Sequence, residues 1–231
     1  MLTGKNVLVI GASGALGSEF CSQLVEVGAT VLGTAKNAES SARLRADLPV
    51  RLLVDLESDA SISALSSYLH SLPSPIDGIV LASGLVAFGL AADTPYEITN
   101  RLVQVNALGQ IRLLNELLPK LQQSAAEQRS PFVVSISGVI SEKPMAGLSA
   151  YSASKTALHG YYLAASKEFK KLGINWLDAR PGHTETGLAD RAIFGTAPNF
   201  GSGLTATEVV GRIILGIKNA ESDLPSSVFL Q

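Results

Sequence analysis

The sequence has little cysteine, little excess charge and no long apolar run. Cys21 is the single cysteine among 231 residues, so no internal disulfide can form. With 18 basic and 20 acidic side chains the net charge is −2, and the scattered cations argue against a nucleic-acid partner. No apolar run approaches the ~20 residues of a membrane-spanning helix, and the N-terminus has no signal-peptide pattern. We therefore expect a cytoplasmic protein without a membrane partner.

Two further scarcities limit the chemistry. Histidine occurs three times, and no group of His, Cys and Asp has metal-ligand spacing, so no metal site is expected. No long linker or internal repeat divides the chain. Hydrophobic residues make up 46% of it, enough for a substantial core. Residues 1–231 are therefore expected to form one domain.

Short Val/Ile/Leu-rich runs alternate with longer amphipathic stretches. The runs do not alternate with polar residues, which is typical of parallel strands buried on both faces. The predicted strands are Asn6–Ile10, Thr30–Thr34, Arg51–Val54, Gly78–Ala82, Phe132–Ile136 and Asn175–Ala179. The predicted helices are Ala15–Val27, Ala60–Leu69, Ile98–Leu121, Ala150–Leu172 and Thr207–Asn219. This order predicts an α/β fold, a three-layer doubly wound parallel sheet of Rossmann type with helices on both faces.

A glycine-rich turn follows the first predicted strand and opens the first helix. Backbone amides and the positive end of a helix hold pyrophosphate at such a turn, where a Cβ would block the ligand. The expected ligand-binding residues of the turn are Gly11, Ser13, Gly14, Ala15, Leu16 and Gly17. A tight turn without a ligand is the alternative.

The end of the second strand bears on the choice between NAD and NADP. A carboxylate there binds the ribose hydroxyls, whereas a cation accepts a 2′-phosphate. The strand is followed by Lys36 and by no acid, which favours NADP(H) over NAD(H). A solvated surface lysine is the alternative.

Tyr151 and Lys155 form a Tyr-x-x-x-Lys pair in the predicted helix Ala150–Leu172. Side chains four residues apart lie on one helix face. A nearby ammonium lowers the pKa of a phenol, whose ordinary value is about 10. The pair is therefore expected to give or take a proton near neutral pH.

Together these motifs resemble the short-chain dehydrogenase/reductase family over nearly the whole chain. The resemblance implies hydride transfer between a nicotinamide dinucleotide and a carbonyl or alcohol. Tyr151 matches the catalytic acid/base of the family, Lys155 the residue that lowers its pKa and binds the nicotinamide ribose, and Asn106 the residue that helps hold a relay water. Further expected cofactor-binding residues are Asp55, Leu56, Ala82, Ser83, Gly84, Pro181, Gly182, Thr184 and Thr186.

Three features depart from the family pattern. The glycine spacing, G-x-x-G-x-x-G, is more usual in extended members such as epimerases. The usual Asn-Asn-Ala-Gly after the fourth strand is replaced by Leu-Ala-Ser-Gly at 81–84. The family serine falls at Gly138, which leaves Ser137 as the expected substitute for catalysis and substrate contact, if a bulge re-aims it. Ser141 and Ser149 are the alternatives.

Two histidines lie near the expected site. His159 is expected to be packed or hydrogen-bonded rather than a second proton carrier. His183, in the turn that contains Pro181 and Gly182, is expected near the substrate. Residues 187–205 are mostly apolar or small and are expected to cover the substrate as a lid.

The sequence thus predicts an NADP-dependent carbonyl reductase or alcohol dehydrogenase with a small-molecule substrate. A catalytically impaired dinucleotide-binding regulatory or scaffold protein on the same fold remains the main alternative, and an epimerase or dehydratase a third. By analogy with the family we expect a homodimer or homotetramer, with a dimer formed through the helices Ile98–Leu121 and Ala150–Leu172.

Overall fold

In the computed structural model, which describes residues 2–229, seven strands form one parallel sheet. The strand order is β3-β2-β1-β4-β5-β6-β7. The strands are β1 Asn6–Ile10, β2 Thr30–Ala35, β3 Val50–Leu53, β4 Gly78–Leu81, β5 Phe132–Ile136, β6 Asn175–Ala179 and β7 Asp223–Leu224. The fold predicted from the sequence, a doubly wound parallel sheet, is confirmed.

Helices cover both faces of the sheet. They are α1 Ala15–Glu26, α2 Ala38–Ser41, α3 Asp59–Ser71, α4 Tyr96–Val103, α5 Gly109–Ala126, α6 Ser149–Lys171 and α7 Ala206–Lys218. Apolar side chains of α1 and α7 pack on one face, and those of α3, α5 and α6 on the other. Alternate strand residues enter the two cores, as Trp176 and Leu177 of β6 do.

One predicted helix is in fact three segments. The stretch expected as Ile98–Leu121 consists of α4, a π-helical turn at Gln104–Leu108, and α5. Single π turns inside helices frequently mark functional sites. Asn106 lies at the centre of this turn and is fully buried.

The strand order reverses between β1 and β4, and this reversal indicates where a ligand would bind. From β1 the chain builds β2 and β3 on one side, and then crosses to build β4 on the other. In open parallel sheets, ligands bind at the carboxyl ends of the strands where the order reverses in this way. The glycine turn after β1 and residues 82–84 after β4 both lie at that point.

No helix within residues 2–229 is both long enough and apolar enough to cross a membrane.

Candidate active site

The glycine turn is built so tightly that side chains are excluded from two of its positions. Gly11 has a φ of +82°, and a Cβ there would lie 2.5 Å from Ser83 Oγ and 2.9 Å from the Ser83 nitrogen. A Cβ on Gly17 would lie 2.1 Å from the Gly11 carbonyl oxygen. No side chain caps α1 at Gly14, and the first amides of a helix have no partner inside it. The turn therefore fits an anionic group such as a pyrophosphate.

Tyr151 lies in the first turn of α6 beneath an apolar cluster. The cluster contains Val86, Phe88, Ile140 and Leu148, and side chains of the segment 188–200 pack against it together with Tyr151. Burial raises the pKa of the phenol to about 12. This shift is opposite to the lowering expected from Lys155, because desolvation disfavours the phenolate.

Lys155 lies one turn further along α6 and reaches the end of β5. Its ammonium donates a hydrogen bond to the Ile136 carbonyl over 2.8 Å. Burial lowers the pKa of Lys155 to about 8, although the charge of Asp178 acts in the opposite direction. A Cβ placed on Gly84 would be 3.5 Å from Lys155 Nζ and 3.4 Å from Asn106 Oδ1. The lysine and the asparagine therefore both lie next to Gly84, beyond the carboxyl end of β4.

The Asn106 side chain connects β4 to the helix of Tyr151. Its Oδ1 accepts from the Leu85 amide at 2.8 Å, and its Nδ2 donates to the Leu85 carbonyl at 2.9 Å. The same Nδ2 donates to Ser154 Oγ at 2.9 Å, and that hydroxyl donates to the Tyr151 carbonyl at 2.7 Å. Both amide protons are used on protein groups, so the side chain positions the site by direct contacts.

Gln110 holds the backbone next to Gly84. Its Nε2 donates to the carbonyls of Ser83 and Val105 at 3.0 and 3.1 Å. Residues 81–84 lack the asparagine that braces this region in the family. Gln110 of α5 instead donates a hydrogen bond to the backbone there. Sequence reasoning missed this residue because its partners lie on other elements.

The hydroxyl of Ser137 lies against Asp178, deep in the structure. Ser137 is fully buried and donates to Asp178 Oδ2 at 2.6 Å, while Ser135 donates to Oδ1 at 2.6 Å. His159 Nδ1 lies 2.9 Å from Oδ2, and Arg180 donates to it at 3.1 Å. Gly138 has a φ of +72°, but this bend does not free the Ser137 hydroxyl from the carboxylate. His159 is hydrogen-bonded, as expected.

Ser141 and Ser149, the alternatives to Ser137, occupy other positions in the structure. Ser141 Oγ donates to the Gly138 carbonyl at 2.8 Å. Ser149 is the first residue of α6. Neither position places a serine at Gly138, where an added Cβ would meet only the Pro181 carbonyl oxygen at 3.8 Å.

Lys36 directly follows β2, as predicted, but its ammonium forms ion pairs with two carboxylates. Its ammonium lies 2.5 Å from Glu57 Oε2 and 3.5 Å from Asp55 Oδ1. Arg101 of α4 donates to the same Glu57 carboxylate at 2.7 and 3.2 Å. The Arg101 guanidinium, aided by Lys36, lowers the pKa of Glu57 to about 2. Leu56, between the two acids, has its carbonyl bonded to Gln104 Nε2 at 3.1 Å.

The turn after β6 pairs with the end of the segment 187–205. Leu204 donates to the His183 carbonyl at 2.9 Å, and Thr184 and Leu204 form a parallel β-bridge. The His183 ring lies 5.0 Å from that of Phe200. The hydroxyls of Thr184 and Thr186 bond locally, to the Gly182 carbonyl and the Leu188 amide.

The segment 187–205 is also tied to the chain that follows β4. Ile193 donates to the Val86 carbonyl and Phe88 to the Phe194 carbonyl, each at 2.9 Å. The rings of Phe88 and Phe200 lie 6.0 Å apart. The segment thus packs over Tyr151 through backbone bonds and apolar contacts.

In the structure, Tyr151, Lys155, Asn106 and Gly84 lie at the carboxyl ends of the central strands, where the glycine turn also lies. The Ser137 hydroxyl instead bonds to Asp178. Within residues 2–229, no group of three or more His, Cys, Asp or Glu side chains is placed to hold a metal ion. Sequence reasoning missed Ser154, Gln110, Asp178, Glu57 and Arg101, whose roles depend on contacts between distant segments.

Comparison with known proteins agrees with this architecture. Residues 5–193 match the family model described as short chain dehydrogenase. A dehydrogenase/reductase SDR family protein 7-like of Anopheles gambiae is 27% identical over 96% of this chain and 75% of its own length.

Two solved structures share the fold. A short-chain dehydrogenase from Sphingobium yanoikuyae in complex with NADPH is 23% identical, with a TM-score of 0.83 over 96% of this chain and 87% of the other. A 3-ketoacyl-(acyl-carrier-protein) reductase from Brucella melitensis complexed with NADH is 18% identical, with a TM-score of 0.87 over 98% and 97%. The family match covers most of the sequence, and the chain therefore belongs to the short-chain dehydrogenase/reductase family, a family of oxidoreductases.

Proposed function

We propose that this protein is an NADP-preferring oxidoreductase that reduces an uncharged carbonyl compound, with Tyr151 as the proton donor. The observation that carries the proposal is that Lys155 Nζ and Asn106 Oδ1 both lie next to Gly84, and Lys155 is one helical turn from Tyr151. This group lies at the same sheet edge as the glycine turn. A proton donor and a dinucleotide site therefore share one crevice.

The chain has groups suited to the pyrophosphate, the 2′-phosphate and the nicotinamide ribose of NADP. The glycine turn and the uncapped start of α1 suit the pyrophosphate. Lys36 suits a 2′-phosphate, and Lys155 suits the nicotinamide ribose. Structures of the same fold have been solved with NADPH and with NADH, which supports a nicotinamide dinucleotide as the cofactor. The proposed preference for NADP depends on Lys36. When bound, the nicotinamide supplies or accepts the hydride.

The chain's own residues then manage the proton. Tyr151 is neutral near pH 7 because burial raises its pKa to about 12, so its hydroxyl is ready to donate a proton to a carbonyl oxygen. Lys155 carries its positive charge below about pH 8 and favours the phenolate left by that transfer. Asn106 fixes the position of Leu85 relative to α6. A protonated Tyr151 beside a charged Lys155 is the state that carbonyl reduction requires.

The surroundings of Tyr151 indicate the kind of substrate. Val86, Phe88, Ile140 and Leu148 form the apolar wall, and Phe200 of the segment 187–205 packs against it. We propose that this segment is a lid that excludes water from an apolar or moderately polar substrate. His183, beside Phe200, is the polar group proposed to contact it.

A second function, a regulatory or scaffold protein that binds the dinucleotide without efficient turnover, has one observation in its favour. Gly138 has no side chain where the family has its serine, and the neighbouring Ser137 hydroxyl is committed to Asp178. Loss of one such donor typically costs about 10²–10³ in rate, which weakens turnover without abolishing it. The intact Tyr151 and Lys155 favour the enzyme.

A two-stage experiment separates these functions. NADPH and NADH are first titrated against the purified protein by nicotinamide fluorescence. A panel of uncharged ketones and aldehydes is then screened for NADPH consumption. Binding with turnover supports the enzyme, and binding without turnover supports the second function. If neither dinucleotide binds, the oxidoreductase proposal is wrong.

We also propose a homodimer or homotetramer. Leu108 of the π turn and Leu163 of α6 are each 52% exposed, on the two helical segments expected to form the interface. Leu163→Glu should then lower the mass measured by light scattering during gel filtration. An unchanged monomeric mass in both proteins would contradict the proposal.

A further inference from the structure

Glu57 lies between two cations at the place where the sequence suggests a 2′-phosphate. Lys36 follows β2, and Glu57 follows β3, the strand that pairs with it. The Glu57 carboxylate binds Lys36 on one side at 2.5 Å and Arg101 on the other at 2.7 Å. Glu57 is the least exposed of the three, with 23% of its side chain accessible, against 48% for Lys36 and 43% for Arg101.

The charges of this cluster cancel. Lys36 and Arg101 are positive, and Glu57 and Asp55 are negative. A lone lysine at this edge would present a positive site to a phosphate ester, which carries a charge of about −1.5 to −2 at neutral pH. Here the phosphate must compete with Glu57 for Lys36 and also approach the Glu57 carboxylate itself. Like charges at short range oppose binding.

We propose that Glu57 is a specificity-determining residue that restrains Lys36 and Arg101 and thereby limits the preference for NADP over NAD. The inference rests on the proposed function, since it presumes that a nicotinamide dinucleotide binds at this edge. The native protein binds NADPH with only a modest advantage over NADH. Removal of the Glu57 charge releases the cations for the 2′-phosphate.

The experiment compares dissociation constants of NADPH and NADH in the native protein and in Glu57→Gln, measured by nicotinamide fluorescence. We expect Glu57→Gln to bind NADPH roughly fivefold more tightly, the effect of about one favourable exposed ion pair, and to bind NADH unchanged. The unchanged affinity for NADH shows that the variant is folded. The gain should shrink as salt is added, because exposed charges are screened.

Further variants test whether the gain in NADPH affinity comes from the release of Lys36 by Glu57→Gln. Asp59→Asn makes the same change in net charge two residues away, where the carboxylate is 70% exposed and pairs with Arg112, and it should leave both affinities unchanged. The affinity of Lys36→Met/Glu57→Gln for NADPH is compared with that of Lys36→Met. Most of the gain caused by Glu57→Gln should be absent from this pair, because Lys36, the cation at the position expected for the 2′-phosphate, is gone.

The outcomes distinguish the inference from the function on which it rests. If the native protein binds neither dinucleotide, both are overturned. If both dinucleotides bind but Glu57→Gln leaves their affinity ratio unchanged, only the inference is wrong. Selective loss of NADH affinity in Glu57→Gln would also overturn it, because Glu57 would then be a ligand of the ribose hydroxyls.

Discussion

The Asn106 side chain bonds both backbone polar groups of Leu85: its Oδ1 accepts from the Leu85 amide at 2.8 Å, and its Nδ2 donates to the Leu85 carbonyl at 2.9 Å. This pair joins the π turn to the chain that leaves β4, directly beside Gly84. Asn106 itself is fully buried.

Asn106→Leu should therefore destabilise the protein as well as impair the site. A hydrogen bond typically contributes about 0.5–1.5 kcal/mol. The change removes two bonds to Leu85 and one to Ser154, so we expect a loss of about 3 kcal/mol in the free energy of unfolding. Urea denaturation measures it. Asn100→Leu, an exposed position on α4, is the matched control and should change little. A loss below about 1 kcal/mol would show that the contacts of Asn106 are dispensable.

Lys155 should give the protein a specific pH dependence. Burial lowers its pKa from 10.5 to about 8, so between these values the folded protein binds fewer protons than the unfolded chain. Lys155 therefore contributes a rise in stability with pH in that window. The native protein should gain stability relative to Lys155→Met as the pH increases from about 8 to 10. Denaturation of both proteins at several pH values between 8 and 10 gives the difference. Parallel curves would mean that the pKa of Lys155 is not lowered.

Ser137 should behave as a structural residue. Its hydroxyl donates to the buried Asp178 carboxylate at 2.6 Å, a bond to a charged group worth about 1.5–3 kcal/mol. We expect Ser137→Ala to lose stability of that order, while its turnover of a true substrate changes less than about threefold. If turnover instead slows by about two to three orders of magnitude with little loss of stability, Ser137 is the oxyanion donor.

Asp178 should be among the residues most costly to change. Its carboxylate is fully buried and contacts Ser135, Ser137, His159 and Arg180. Removing one partner of a buried pair typically costs about 3–5 kcal/mol. We expect Asp178→Asn to cost about 3 kcal/mol in thermal or urea unfolding.

The control for Asp178 is Asp93→Asn, an exposed position outside the sheet, which should change stability by less than about 0.5 kcal/mol. Equal effects at the two positions would show that the buried cluster adds no stability beyond that of a surface aspartate.

How far the sequence predicted the fold depended on the type of signal. Strands β1, β5 and β6 match their predicted bounds because parallel strands buried on both faces read as continuous apolar runs. β7 has two residues, too few for any periodicity. The π turn was missed because the apolar pattern of Ile98–Leu121 continues almost unbroken through Asn106.

The candidate site was predictable where it follows from spacing along the chain. Tyr151 and Lys155 share a helix face, and the glycine turn lies between a strand and a helix, so both were found. Side chains that meet across the sheet gave no such signal. Ser137 and Asp178 come together only through the pairing of β5 with β6. Lys36 was recognised as a cation at the right edge, but its neutralisation by Glu57 depends on the pairing of β2 with β3.

The proposed role of Tyr151 is tested most directly by the rate of NADPH consumption with an uncharged ketone substrate in Tyr151→Phe. The substitution removes one hydroxyl beneath the apolar cluster and leaves the glycine turn and Lys155 in place. We expect turnover to slow by about two to four orders of magnitude, the usual contribution of a positioned acid, while the dissociation constant of NADPH stays within about twofold. Full activity in Tyr151→Phe would contradict the account, because the proton would then come from another group.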